Sequence, residues 1–356
     1  MSLEILLNTL NARVPFPVMR AILNLCDLPM GRGGVETIKK VLLIANDEKE
    51  DYIDSITKLK NLYDNHLLVS EKATRFFSLD RETIDKLIII ILRLSLVESE
   101  FKEAYPLPVS EDKLVNINSN LCLVKVIESE EDITLIYCST RLIREEVKID
   151  TSDLSLDVKK ELSEFKGVYG IKEYDRQLFD VVVIGKKRNY IEVRVDISEG
   201  ISLSEKNTSF ALLINEFNKL IEKMLGIQIV LNKPVNLFPL IDKLYTSTEG
   251  RVADLAFTTD QGSIKSEKMR RGMIDLRNEA YHKAGREAVD HISPYRLAII
   301  WERFISKDIN TYPEILLAGH LRSISSTKPV LEDVLIKKCC FLEDYSFVFK
   351  KIISYL

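Results

Sequence analysis

The strongest constraint on the fold of this chain is a change of hydrophobic period. Up to Pro106 and Pro108 the apolar residues recur at helical spacing. Beyond them they alternate over 121–127, 133–138, 179–184 and 190–197, as in strands with one face covered. Helical spacing returns over 209–225. The expected fold class is therefore α+β. A helical, winged-helix-like unit covers 1–108, a β-rich middle domain 109–204, and a mainly helical domain with a basic segment 205–356. With 356 residues, 46% of them hydrophobic and 29% charged, the chain is long enough for two or three units and has an ordinary globular balance.

In the first unit, short helical blocks are separated by Pro15, Pro17 and the Gly31-Arg32-Gly33-Gly34 turn. Residues 66–69 and 75–79 flank a polar 70–74 and read as a hairpin, the wing. The recognition-helix position, 35–45, carries only Lys39 and Lys40 as basic residues and precedes an acidic 47–51, which suits protein contact better than DNA. A helix over 81–103 forms a spine. In the middle domain a helix over 152–165 crosses the sheet. The last third reads as a helix at 237–245, a hairpin at 251–258 and 263–265 around Asp260-Gln261-Gly262, and helices over 267–288, 294–305 and 330–356.

Charge and cysteine content narrow the function classes. Fifty basic and 54 acidic side chains leave a net charge of -4, so any attraction to nucleic acid must be local. The five cysteines, Cys26, Cys122, Cys138, Cys339 and Cys340, include no C-x2-C pair and no histidine at zinc-finger spacing. They read as packing groups in a reducing compartment. The N-terminus has no secretory pattern, and the most apolar run, 87–97, is too short to span a bilayer and contains Arg93. A cytoplasmic protein with no membrane span, metal or cofactor is expected.

Several partial site patterns in the sequence lack a residue that their chemistry needs. Asp180 with Glu192-Val193-Arg194 resembles the PD-(D/E)xK nuclease pattern, in which an acid on one strand and E-x-K on the next hold a divalent cation. Arginine stands at the lysine position and cannot deprotonate near neutral pH. Glu192, Arg194 and Asp196 instead read as the charged solvent face of a half-buried strand. The Gly31–Gly34 run lacks a preceding strand and a Gly-Lys-Ser/Thr, so it is a turn. His291 precedes Ser293-Pro294 and reads as a helix-start residue; Tyr295, Trp301 and Phe304 read as core.

The segment 265–286 departs furthest from the acidic average. It holds seven lysines and arginines against three acids, and one of the chain's four histidines. Lys265, Lys268, Arg270, Arg271, Lys283 and Arg286 are the candidate nucleic-acid contacts; the alternative is a solvated helix face whose charges pair with acids elsewhere. Within it, Arg277-Asn278-Glu279-Ala280-Tyr281-His282 resembles the R-x4-H motif of the HEPN ribonuclease superfamily, including the polar residue after the arginine. The resemblance covers six residues. It implies metal-independent RNA cleavage in which Arg277 binds the scissile phosphate, Asn278 orients the site and His282 carries a proton, usually doubled across a dimer. Imidazole and guanidinium suit those tasks. Residues five apart on a helix lie about 140° around the axis, so Arg277 must reach round or a partner chain must contribute. The sequence reading is a protein that binds RNA or DNA, with the metal-independent endoribonuclease activity that the HEPN resemblance implies, and with a protein partner or a homodimer. The alternative is a non-enzymatic adaptor or DNA-binding subunit of a multiprotein assembly.

Overall fold

The alternating segments are strands, and they pair into one sheet. The computed structural model describes residues 2–47, 52–114, 116–117, 121–150, 152, 154–197, 201–270, 274–307 and 309–356. The chain opens with four helices, α1 (Leu3–Arg13), α2 (Phe16–Leu25), α3 (Gly34–Asp47) and α4 (Ile53–Val69). Strand β1 (Lys72–Ser78) precedes α5 (Arg81–Ile91), α6 (Glu100–Ala104) and α7 (Glu111–Leu114). Then come β2 (Cys122–Glu128), β3 (Asp132–Ile149), α8 (Leu156–Glu161), β4 (Val168–Gly185), β5 (Tyr190–Asp196), α9 (Leu203–Leu225) and α10 (Pro239–Thr246). The last third contains β6 (Arg251–Thr259), β7 (Ile264–Lys268), a 3-10 turn (Leu276–Asn278), α11 (Ala280–Glu287), β8 (Ile292–Ile300), β9 (Arg303–Ser306), β10 (Ile309–Thr311), β11 (Glu314–Ala318), α12 (Leu321–Ile324), β12 (Val334–Lys337) and α13 (Leu342–Tyr355).

Ten strands form a sheet in the order β2-β3-β4-β5-β1-β12-β11-β8-β6-β7, and β9 pairs with β10 apart from it. Every pairing is antiparallel. The fold is α+β. All three segments expected from the sequence supply strands to this one sheet, so its hydrogen bonding runs across both expected boundaries.

Two cores lie on its faces. One joins the sheet to α1–α4, α10 and α13, through side chains such as Leu6, Met19, Leu59, Leu240 and Val348. The other lies under α5 and α9 and takes Ile191, Val193 and Val195 from β5. In α9, Phe210, Leu213, Phe217 and Ile221 recur on one stripe and are all buried. Burying each such side chain contributes roughly 1.5–3 kcal/mol. A Ser202–Glu205 capping box starts this helix and Gly226, in the left-handed region, ends it.

Several elements differ from those expected from the sequence. Residues 66–69 are the last turn of α4, and β1 is no wing: it lies mid-sheet between β5 and β12. The 81–103 helix stops at Ile91 and resumes only as α6. Within 152–165 the α-helix described is short, Leu156–Glu161. The stretch 267–288 divides into the end of β7, the 3-10 turn and α11, because Asp275 and Glu279 each cap a new start with their carboxylates. Residues 294–305 contain the end of β8 and the start of β9 rather than a helix. Leu297, Ala298, Ile299, Ile300 and Trp301 are all buried, and an apolar run of this kind has no period that separates strand from helix. Likewise 330–356 begins with β12 before α13. The last third is thus mixed rather than mainly helical. His291 precedes a strand, and Phe304 is 72% exposed rather than core, whereas Trp301 is buried.

Candidate nucleic-acid interface

The basic segment folds at the rim of the sheet. β7 is the last strand of the sheet and, among the described residues, pairs only with β6, through a turn at which Gly262 takes φ +80. Its residues are mostly exposed because no described strand covers its outer side. Lys265, Lys268, Arg270 and Lys283 are exposed, and none of them forms an ion pair among the described residues. Lys268 lies opposite Asp254, but that carboxylate is taken by Arg296, which donates to both its oxygens at 3.3 and 3.2 Å. Glu267 turns toward α11. By alternation Lys265 shares its face while Lys268 projects from the other, so cations leave both faces of the edge strand. Arg286 is half-buried and donates to the Val289 carbonyl at 3.1 Å. Arg271 lies outside the described residues.

Arg277 and His282, the proposed catalytic pair, are both anchored inside the fold. The Arg277 Nε donates to both Asp275 carboxylate oxygens at 3.0 Å. Its Nη2 donates to Asp275 at 2.6 Å and to the carbonyls of Glu249 and Gly250 at 2.9 and 2.8 Å, and Nη1 donates to the Ser247 carbonyl. Every guanidinium nitrogen is engaged, and the side chain ties the 3-10 turn to the bend that leads into β6. That bend depends on Gly250, at φ +50, where a Cβ would meet Ile299 Cγ2 at 2.5 Å and the Ile300 carbonyl at 2.8 Å. Asn278 is exposed at the end of the turn.

His282 is 3% exposed. Its Nδ1 lies 2.6 Å from Glu267 Oε2 and its Nε2 2.9 Å from the Tyr245 hydroxyl, while Phe257 and Tyr245 stand edge-on to the ring. A neutral ring with its proton on Nδ1 donates to Glu267 and accepts the Tyr245 hydroxyl proton on Nε2. Burial raises the Tyr245 phenol above its ordinary value; Arg286 opposes that and Glu267 adds to it. The result is a carboxylate–imidazole–phenol chain with a buried imidazole between two partly exposed ends, Glu267 and Tyr245. Glu267 and Tyr245 lie 15 and 37 residues from His282. No short motif links them, and only tertiary packing joins the three.

The acids at the strand centre have a different environment. Glu192, Arg194 and Asp196 share one face of β5, as alternation requires, but that face is buried rather than solvated. Glu192 accepts from Arg194 at 2.8 Å, Arg188 at 3.1 Å and the Tyr345 hydroxyl at 3.0 Å. Arg194 also donates to the Leu68 carbonyl at 3.2 Å and stacks on the Tyr345 ring. Asp196 pairs with Arg13 at 2.8 Å and Lys72 at 3.4 Å, and Asp180 with Arg141. Burial pushes the Asp196 carboxyl up, but Lys72, Arg13 and Arg141 reverse that and hold it at about 2. Burial raises Asp180 and lowers Lys72. A cleft of about 970 Å³ opens above Arg13, His66 and Asp196. Each of these carboxylates is saturated by a cation of the chain itself. Among the described residues no group of three or more His, Cys, Asp or Glu side chains could hold a metal ion.

Compared with models of known protein families and with curated proteins, the chain matches none. Among the described residues no helix is long and apolar enough to cross a membrane.

Proposed function

We propose that this chain is a cytoplasmic nucleic-acid-binding protein that holds RNA or DNA along the free edge of β7 and the exposed flank of α11. The division of charge within 265–286 carries this reading. Its three acids are used internally: Glu267 by His282, Asp275 by Arg277, and Glu279 by the first turn of α11. Among the described residues Lys265, Lys268, Arg270 and Lys283 have no acidic partner. Unneutralised cations along a strand edge suit the spaced charges of a phosphate backbone, and they bind it by releasing its counterions. Five free cysteines, four of them buried, fit a reducing compartment.

Reversing two charges tests the reading. Lys265→Glu with Lys268→Glu lowers affinity for single-stranded RNA or duplex DNA by at least about tenfold, with the fold unchanged by circular dichroism. Equal affinity in the double variant would sink it.

RNA cleavage is a second reading, favoured by the Glu267–His282–Tyr245 relay. The proton carrier facing substrate is then Tyr245, with His282 behind it and Arg277 a positioning residue. Tyr245→Phe abolishes EDTA-resistant cleavage and leaves binding intact; cleavage that persists in that variant removes this reading.

A further inference from the structure

We propose that two copies of this chain join through the outer half of β3, pairing antiparallel about Val147. Beyond Cys138 β3 leaves β2, and before Val181 β4 is not yet paired with β5. Residues 142–149 and 168–175 therefore form a two-stranded ribbon whose ladder, among the described residues, pairs only with itself. Its outer part is exposed on both faces: every residue from 144 to 149 is exposed, and Tyr169 and Ile171 are 59% and 73% exposed. An isolated two-stranded ribbon is marginally stable in water, and its free edges are templates for another strand.

Charge selects the occupant. Residues 140–177 carry eight basic and nine acidic side chains, a balance that gives a nucleic acid no attraction. The outer edge of β3 is complementary to itself. Two antiparallel strands related by a two-fold axis place one residue opposite its own equivalent. With Val147 there, Glu146 faces Lys148 of the second copy and Arg144 faces Asp150, each contact occurring twice, while Glu145 faces Ile149. Centring on Arg144, Glu145, Glu146 or Lys148 instead sets like charges directly opposite each other, which is destabilising. Neither Glu146 nor Lys148 forms an ion pair within its own chain among the described residues; their neighbours on β4 are Ile171 and Tyr169. The pairing would extend the ribbon into four strands and cover the Val147 and Ile149 side chains on the opposite face from the charge ladder.

Sedimentation velocity on the full chain tests this without nucleic acid, so its outcome is separate from that of the binding reading. The wild type is a dimer at about 50 μM, as a micromolar dissociation constant requires. Lys148→Glu sets carboxylates opposite each other and raises the dissociation constant by at least about tenfold. Adding Glu146→Lys in the same chain exchanges the signs and restores the dimer, which also shows that the single variant had folded. A monomeric wild type, a dimer indifferent to Lys148→Glu, or a double variant that stays monomeric would each overturn the proposal.

Discussion

β5 and β7 both carry charged residues in alternation, yet those of β5 are buried and ion-paired while the lysines of β7 are exposed and, among the described residues, unpaired. On β5, Glu192, Arg194 and Asp196 lie mid-sheet beneath α4 and α13, where an unpaired charge would be costly; each meets a counter-charge within 3.5 Å. On β7, Lys265 and Lys268 have water on one side and need no partner. Alternation tells which residues share a face. The position of the strand in the sheet decides whether that face is covered, and so whether its charges are structural or free to bind.

The largest effect expected from this contrast is at β5. Asp196→Ala leaves Lys72 and Arg13 buried without their carboxylate and costs about 3–5 kcal/mol in urea unfolding. Its counterpart on the edge, Lys265→Ala, changes stability by no more than about 0.5 kcal/mol. A small loss at Asp196 would mean that the buried strip is more hydrated than its burial indicates.

The floor of the cleft beside this strip also titrates. Burial holds the His66 imidazole at about 4, against an ordinary 6.5. The folded state thus binds this proton more weakly than the unfolded chain does. The stability His66 contributes is full above pH ~6.5 and is lost as pH falls toward 4, about 3 kcal/mol across that window. Unfolding measured through the window checks the slope, and His66→Gln should flatten it. Asp196 adds its own loss only at lower pH, between its ordinary carboxylate range and about 2.

Arg277 gives a smaller effect that sharpens the division inside the basic segment. Arg277→Ala leaves the Ser247, Glu249 and Gly250 carbonyls without their donor and costs roughly 1.5–3 kcal/mol. Nucleic-acid affinity of the folded variant is unchanged, because its guanidinium faces the interior. A tenfold loss of affinity at full folding would return Arg277 to the binding surface.

The α+β class, most strands of the middle region, α9, α10 and the β6–β7 hairpin were legible because each shows one clear period between turn residues. The helix assigned to 294–305 failed where both faces of a strand are apolar, and the helix over 267–288 failed where few apolar residues exist to set a period. Placing β1 mid-sheet required pairings with strands more than a hundred residues away, at Val195 and Leu335, which no local pattern encodes. The candidate site was legible in the same uneven way. The excess of cations in 265–286 is plain in the sequence, but the inward turn of Arg277 and His282 follows from partners at 245–250 and 267.

The salt dependence of nucleic-acid binding tests the free cationic edge most directly. Log affinity against log salt concentration is measured for the wild type and for Lys265→Ala, Lys268→Ala, Lys283→Ala combined. Each phosphate contact contributes about 0.9 to the slope on duplex DNA and about 0.7 on a single strand. The triple variant should therefore show a slope shallower by roughly 2–3 units, with its unfolding midpoint unchanged. An identical slope in the two proteins, or a wild type with no salt-sensitive binding, would contradict the account.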